Sequence, residues 1–200
     1  MIILDCEQGT EEWFKARAGI PTASCFDKIL SSTCKPSTQA NSYRYKLLAE
    51  WMTGPQETMT NEWMERGKEL EEDAREVYQF IKGDDVDQVG LIYKDDKKLV
   101  SCSPDGLVGG KGLEIKCPAP HTHVEYLLKG AMPAKYIPQV QGSMYVSGLD
   151  QWDFMSYCPG MPTLILTIER DEKYHNALDE CLLKFIDKLL TDREKLNNIR

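Results

Sequence analysis

The 200-residue chain has no run of about 18 apolar residues, the length a helical membrane span needs, so no such span is expected. Its start, Met1-Ile-Ile-Leu-Asp-Cys6, has neither a basic segment nor a long apolar stretch, and a secretory signal is not expected either. No Cys-x-x-Cys pair is present. The seven cysteines are scattered and odd in number, which argues against a disulfide framework and against a structural zinc site, and favours a reducing cytoplasm. A basic excess is missing as well. Lys and Arg number 24 against 32 Asp and Glu, a net charge of −8, which taken alone points away from nucleic acid. A mean can hide a local basic patch, however, and carboxylates gathered round a metal add negative charge that the ions offset. With no repeat, low-complexity tract or linker, the length suits one domain, residues 1–200, with a real core.

What stands out is residues 99–118. Leu99 to Ser103 and Leu113 to Cys117 read as two strands, with Gly106, Gly109, Gly110 and Gly112 supplying the reversal and Pro118 ending the second strand. Glu114 and Lys116 are two apart, so they share a face, with Cα atoms roughly 6–7 Å apart, and Ile115 points the other way. The reversal can bring Asp105 to that same face. Mg²⁺ takes a few carboxylate oxygens, keeps several waters and binds substrate phosphates, so Asp105 and Glu114 suit it as ligands. Lys116 suits the work of polarising a water or steadying charge on phosphorus. Spacing alone describes a surface hairpin with a Glu–Lys ion pair equally well. Leu113 and Ile115 tilt the balance, because they mark an inner strand where an unpaired charge is costly.

The rest of the chain reads mostly as helices. One starts near Thr10, and Thr22 opens a second that buries Cys25, Phe26, Ile29 and Leu30. Arg17 beside that hydroxyl-rich turn makes either an anion site or a plain cap with a solvated arginine. Residues 31–41 form a polar loop. Ser42 to Met52 form an amphipathic helix with Leu47, Leu48 and Trp51 inward, stopped at Gly54-Pro55. In a helix over 61–82, the periodicity puts Trp63, Leu70, Ala74, Val77, Tyr78 and Ile81 on one face and most glutamates opposite. Glu71 falls on the apolar face, where a lone carboxylate must be paired, protonated or turned to a metal. Residues 89–93 read as a strand. His121 and His123 suggest metal ligands or, more simply, solvated imidazoles in a loop. Pro138 opens a helix carrying Gln139 and Gln141. Strands at 152–158 and 164–169 join the hairpin in one mixed sheet. The final helix, 171–196, carries an apolar stripe that faces the core or another subunit.

Four segments in this order resemble the lambda exonuclease and YqaJ-like viral recombinase family of restriction-endonuclease-like nucleases. They are Trp13-x-x-x-Arg17-x-Gly-x-x-Thr22-Ala-Ser24, Arg66-Gly-Lys-Glu-Leu-Glu71-Glu-Asp-Ala-Arg75, Ser103-Pro-Asp105-Gly-Leu followed by Gly112-Leu-Glu114-Ile-Lys116-Cys-Pro, and Gln139-x-Gln141. The resemblance implies an α/β (α+β) restriction-endonuclease-like core, a central mixed β-sheet flanked by helices. It implies a Mg²⁺-dependent exonuclease on duplex DNA, with two ions (Mn²⁺ as a substitute) held by Asp105, Glu114 and the Ile115 carbonyl. Glu71, Lys116 and Gln139 complete the catalytic set, and Arg17, Ser24 and Ser103 take the 5′-phosphate. The partners it implies are double-stranded DNA ends, a single-strand annealing protein and further copies of the chain in a ring trimer. An endonuclease or resolvase of the same fold, and a DNA-end-binding protein without catalysis, are the other readings left open.

Overall fold

A computed structural model describes residues 1–55 and 62–199. Strand β1 (Ile2–Leu4) is followed by α1 (Glu11–Arg17), a 3-10 turn (Ala23–Lys28), α2 (Ala40–Thr53) and α3 (Glu62–Lys82). Next come β2 (Leu91–Tyr93), β3 (Ser101–Cys102), β4 (Gly106–Val108), β5 (Lys111–Lys116) and α4 (Pro120–Lys129). A 3-10 turn (Ala134–Tyr136) leads into α5 (Ile137–Ser147), then β6 (Gln151–Ser156), β7 (Leu164–Glu169) and α6 (Glu172–Asn197).

The strands form two sheets, an antiparallel β1-β2-β3 and a mixed β4-β5-β6-β7 flanked by helices. The expected hairpin is corrected in one respect. The segment 99–103 supplies β3, which pairs with β2, and the partner of β5 is the short β4. The turn between β4 and β5 is Gly109-Gly110, with φ of 53° and 84°. Two successive positive φ values make the primed turn that suits a tight hairpin, and an L side chain at either place would be strained.

β5 and β6 run parallel, so the chain must cross over between them, and it does so through α4 and α5. Pleating then sorts the side chains. Leu113 and Ile115 join Ala74 and Tyr78 of α3 and Met155 in one apolar cluster. Trp152 and Phe154 join Val140 and Met144 of α5 in another. α3 packs on one face of the sheet and α5 on the other. Tyr78 anchors α3 further, its hydroxyl donating to Asp153 Oδ2 at 2.6 Å, a carboxylate that also accepts from Thr167 Oγ1 at 2.5 Å. Ile81, expected inward, is 52% exposed, and the side chain of Trp63 lies outside those described. The stripe on α6 is core: Tyr174, Leu178, Leu182, Phe185 and Leu189 are buried with Tyr43 and Leu47 of α2. Each such side chain contributes about 1.5–3 kcal/mol.

Candidate active site

The acidic centre is built where β4 begins. Asp105 precedes β4, and its N–H donates to the Leu113 carbonyl at 3.0 Å, which continues the ladder by one rung. Its carboxylate Oδ2 accepts the Ile115 N–H at 2.5 Å. In an extended strand the N–H and C=O of one residue point to the same edge. The Ile115 carbonyl therefore lies on the Asp105 side of β5. Glu114 and Lys116 share a face, as expected, and their side chains form an ion pair. Gln139 reaches in from α5, Nε2 donating to Glu114 Oε1 at 2.5 Å. Glu114 is only 1% exposed, and its second oxygen, Oε2, is buried with no hydrogen-bond partner among the described residues.

Glu71 comes from the helix on the other face. It pairs with Arg75 one turn on, Oε1 to Nη2 at 3.1 Å, and Arg75 Nε donates to the Asp105 carbonyl at 3.4 Å. Arg75 thus ties α3 to the start of β4. The i,i+4 spacing to Glu71 was the signal for it in the sequence. Tyr136 has no such signal in the sequence. Its ring centroid lies 5.5 Å from Lys116 Nζ, within cation–π range.

The electrostatics follow from burial. Burial pushes Glu114 up to about 7, helped by the Asp105 and Glu71 charges and opposed by Lys116. Burial also raises Asp105, against the pull of Lys116, the Ile115 N–H and Arg75. For Lys116 burial works downward, but the Glu114 and Asp105 carboxylates outweigh it, so the ammonium is held charged. An orphaned oxygen on a buried carboxylate, beside a second carboxylate and a carbonyl on the same strand edge, fits a hard divalent cation that keeps waters. Among the described residues no group of three or more His, Cys, Asp and Glu gathers for a metal, so waters or substrate oxygens must complete any coordination.

A pH effect follows. The folded protein holds the Glu114 proton up to about 7, against 4.5 for an ordinary glutamate. That stabilising protonation is fully present below 4.5 and is lost as pH rises through about 7. A cation needs the carboxylate, so it must displace that proton in mildly acid solution. Calorimetric titration with Mg²⁺ or Mn²⁺ is expected to show tighter binding at about pH 8 than at about pH 6, and release of close to one proton only at the lower pH. Equal affinity and equal proton release at both would remove Glu114 from the cation site.

A second cluster forms round Trp13. The Thr10 side chain caps α1, and the Arg17 guanidinium lies 4.2 Å from the Trp13 ring centroid. Trp13 Nε1 donates to the Gly90 carbonyl at 2.9 Å and to Ser103 Oγ at 3.0 Å. Arg17 Nη2 stands 3.5 Å from Ser24 Oγ. Arg17, Ser24 and Ser103 are therefore brought together, linked through one indole. A bridge between Thr22 and Ser101 fixes the 3-10 turn that carries Ser24 against β3. That element is a 3-10 turn where the sequence suggests a helix, and Thr22 makes no side-chain cap.

His123 is neither a ligand nor solvated. It lies in α4 and is fully buried, with Nδ1 2.8 Å from Ser156 Oγ and Nε2 2.9 Å from the Pro162 carbonyl. Because a carbonyl only accepts, Nε2 carries the proton and Nδ1 accepts from Ser156. His121 is exposed on the same helix.

Comparison with known proteins places the chain in a family. Residues 12–150 match the model of the YqaJ-like viral recombinase domain. The chain belongs to that family. The stretch matched holds the Trp13 cluster and the acidic centre together. Among solved structures, the chain is similar to an alkaline exonuclease from Laribacter hongkongensis, 35% identical, with a TM-score of 0.85 over 94% of this chain and 97% of that one. The same enzyme has been crystallised with dAMP. A phage-related exonuclease from Haemophilus somnus shares the fold at 17% identity and a TM-score of 0.69. The Escherichia coli K12 protein ExoD is 42% identical over 62 residues, 30% of this chain and 71% of that protein. Protein R354 of Acanthamoeba polyphaga mimivirus is 25% identical over 165 residues, and this chain spans only 29% of its length. Among the described residues no helix is long and apolar enough to cross a membrane.

Proposed function

We propose that this chain is a divalent-metal-dependent exonuclease that degrades linear double-stranded DNA from its 5′ ends and leaves 3′ single-stranded tails for strand-annealing recombination of the phage type. The observation that carries the reading is the gathering of Asp105, Glu114 and Lys116 where β4 begins and β5 ends, with Glu114 Oε2 buried and without a hydrogen-bond partner among the described residues. The alkaline exonuclease that shares the fold over almost the whole chain supports it.

In this reading Asp105, Glu114 and the Ile115 carbonyl hold Mg²⁺, two ions, with Mn²⁺ as a substitute. When bound, the ions supply Lewis-acid activation of the attacking water and support for the leaving oxygen. Lys116, held as an ammonium, directs Nζ at the phosphate oxygens that gain charge in the transition state. Gln139 fixes the orientation of the Glu114 carboxylate through Oε1. Glu71, oriented by Arg75, accepts a hydrogen bond from the nucleophilic water. Arg17, Ser24 and Ser103 take the 5′-phosphate, with charge-assisted bonds from the guanidinium. A ring trimer of this chain would keep the duplex engaged, and a single-strand annealing protein would receive the tail. Both belong to the proposal, as does a cytoplasmic setting.

Linear duplexes labelled at the 5′ or the 3′ end test it. With Mg²⁺ the 5′ label is expected to be released first and covalently closed circles to stay intact; cut circles would favour the endonuclease reading. Arg17→Ala is expected to reduce the preference for 5′-phosphoryl over 5′-hydroxyl ends by about tenfold, the loss of roughly one charge-assisted hydrogen bond. An unchanged ratio would take Arg17 out of end selection.

A further inference from the structure

A cleft of about 210 Å³ lies between the two clusters, lined by Ser24, Asp27, Lys135, Tyr136, Pro138 and Gln139. Ser24 belongs to the Trp13 cluster and Gln139 bonds Glu114, so the cleft joins the end-binding group to the acidic centre. A strand held by its terminal phosphate at one side and cut at the other must lay its backbone across this gap. Among the lining residues Lys135 is the cation and Asp27 the anion. Lys135 is exposed, and its Nζ lies 4.9 Å from the Tyr136 ring centroid and 5.7 Å from that of Tyr126. Aromatic faces hold an ammonium in place without neutralising it. Tyr136 also faces Lys116, so one ring steadies a cation of the acidic centre and a cation of the cleft. On a chain of net charge −8, a cation poised at this place counts for more than on a basic one.

We propose that Lys135 binds the sugar–phosphate backbone of the strand being degraded, between the terminal phosphate and the scissile bond. This rests on the exonuclease reading above. It makes Lys135 a substrate-binding residue whose effect is electrostatic and therefore salt-dependent.

The test is equilibrium binding of a fluorescently labelled, 5′-phosphorylated duplex with a short 3′ tail, followed by anisotropy in chelator over a range of salt. Lys135→Met is expected to weaken binding about three- to tenfold near 0.1 M salt and to make the slope of log K against log salt shallower by about 0.7–0.9, the signature of one lost phosphate contact. Lys135→Arg is expected to restore both, because it restores the charge. A Lys135→Met slope equal to that of the wild type overturns the proposal, as does failure of arginine to restore it. A wild-type chain that binds these ends and cuts nothing sinks the nuclease reading, while the slope comparison still decides on Lys135. A wild-type chain that binds no ends at all sinks both.

Discussion

Glu114→Gln is expected to lower turnover on linear duplex by about a thousandfold or more, roughly 4 kcal/mol of lost transition-state stabilisation, while DNA-end binding persists. The side chain keeps its shape and one acceptor oxygen. It loses the charge on which the Lys116 ammonium rests, and it turns a carboxylate that offers a free oxygen into an amide with a poor donor set for a hard cation. Lys116→Ala should do similar damage by a different route. The ammonium is held charged by Glu114 and Asp105, so its removal takes away the positive charge that the proposed mechanism aims at the phosphate, and raising the pH should not restore activity. The proposal gives end binding to Arg17, Ser24 and Ser103, on separate elements, so it should survive both changes. Stability gives an independent reading. Burial favours the neutral form of Glu114, so above about pH 7 the ionised group works against the fold. A glutamine mimics the neutral form. Against that gain stands the lost pairing with Lys116, so in chelator at about pH 8 the variant is expected to stay folded and to melt within a few degrees of the wild type. A folded variant that cleaves near-normally would remove Glu114 from the chemistry.

Much of this site was legible because strand alternation is a strict rule. Glu114 and Lys116 had to share a face if residues 113–117 formed a strand, and they do. The wheel that put Glu71 among apolar residues was also sound, because its turn of α3 passes beside Asp105, where Arg75 offsets its charge. What the sequence hid was pairing. Nothing local says that 101–102 should join β2 and leave β4 to meet β5; that choice is made by residues near position 92, brought in from another part of the chain. α4 was missed for a different reason. Pro120 and the histidines looked like loop residues, yet Pro120 sits in the first helical turn and Gly130 closes the helix in the left-handed region at φ 56°, a start and a stop that could have been read. The partners of His123 are Ser156 and Pro162, more than thirty residues away, and local spacing cannot reveal them. Ile81 followed the periodicity but outran the cover, since at 52% exposure it lies beyond the part of α3 that the sheet buries.

Gly142→Ala is expected to destabilise the fold by about 1–3 kcal/mol and to damage end selection and cleavage together. Inside a helix the same change ordinarily stabilises, by roughly 0.5–1 kcal/mol, because glycine loses more backbone freedom on folding than alanine. Here a Cβ would stand 2.4 Å from Phe26 Cδ2 and 2.9 Å from Cε2, and Phe26 is fully buried. Overpacking of that kind costs about 1–3 kcal/mol, which outweighs the propensity gain. The clash lies between α5, which carries Gln139, and the 3-10 turn that carries Ser24, so relief by a rigid shift would move the two clusters apart. Gly67 offers the control. Its Cβ would meet no heavy atom within 4 Å among the described residues, and Gly67→Ala should be neutral or stabilising. Urea melts of Gly142→Ala, Phe26→Leu and the double variant separate the causes. If the steric argument holds, the smaller side chain makes room and the double variant is more stable than the two single losses would sum to. Strict additivity would mean that Phe26 is not what Gly142 makes room for. If Gly142→Ala proved more stable than wild type, the close approach of α5 to the Ser24 turn would not be what sets the spacing between the two clusters.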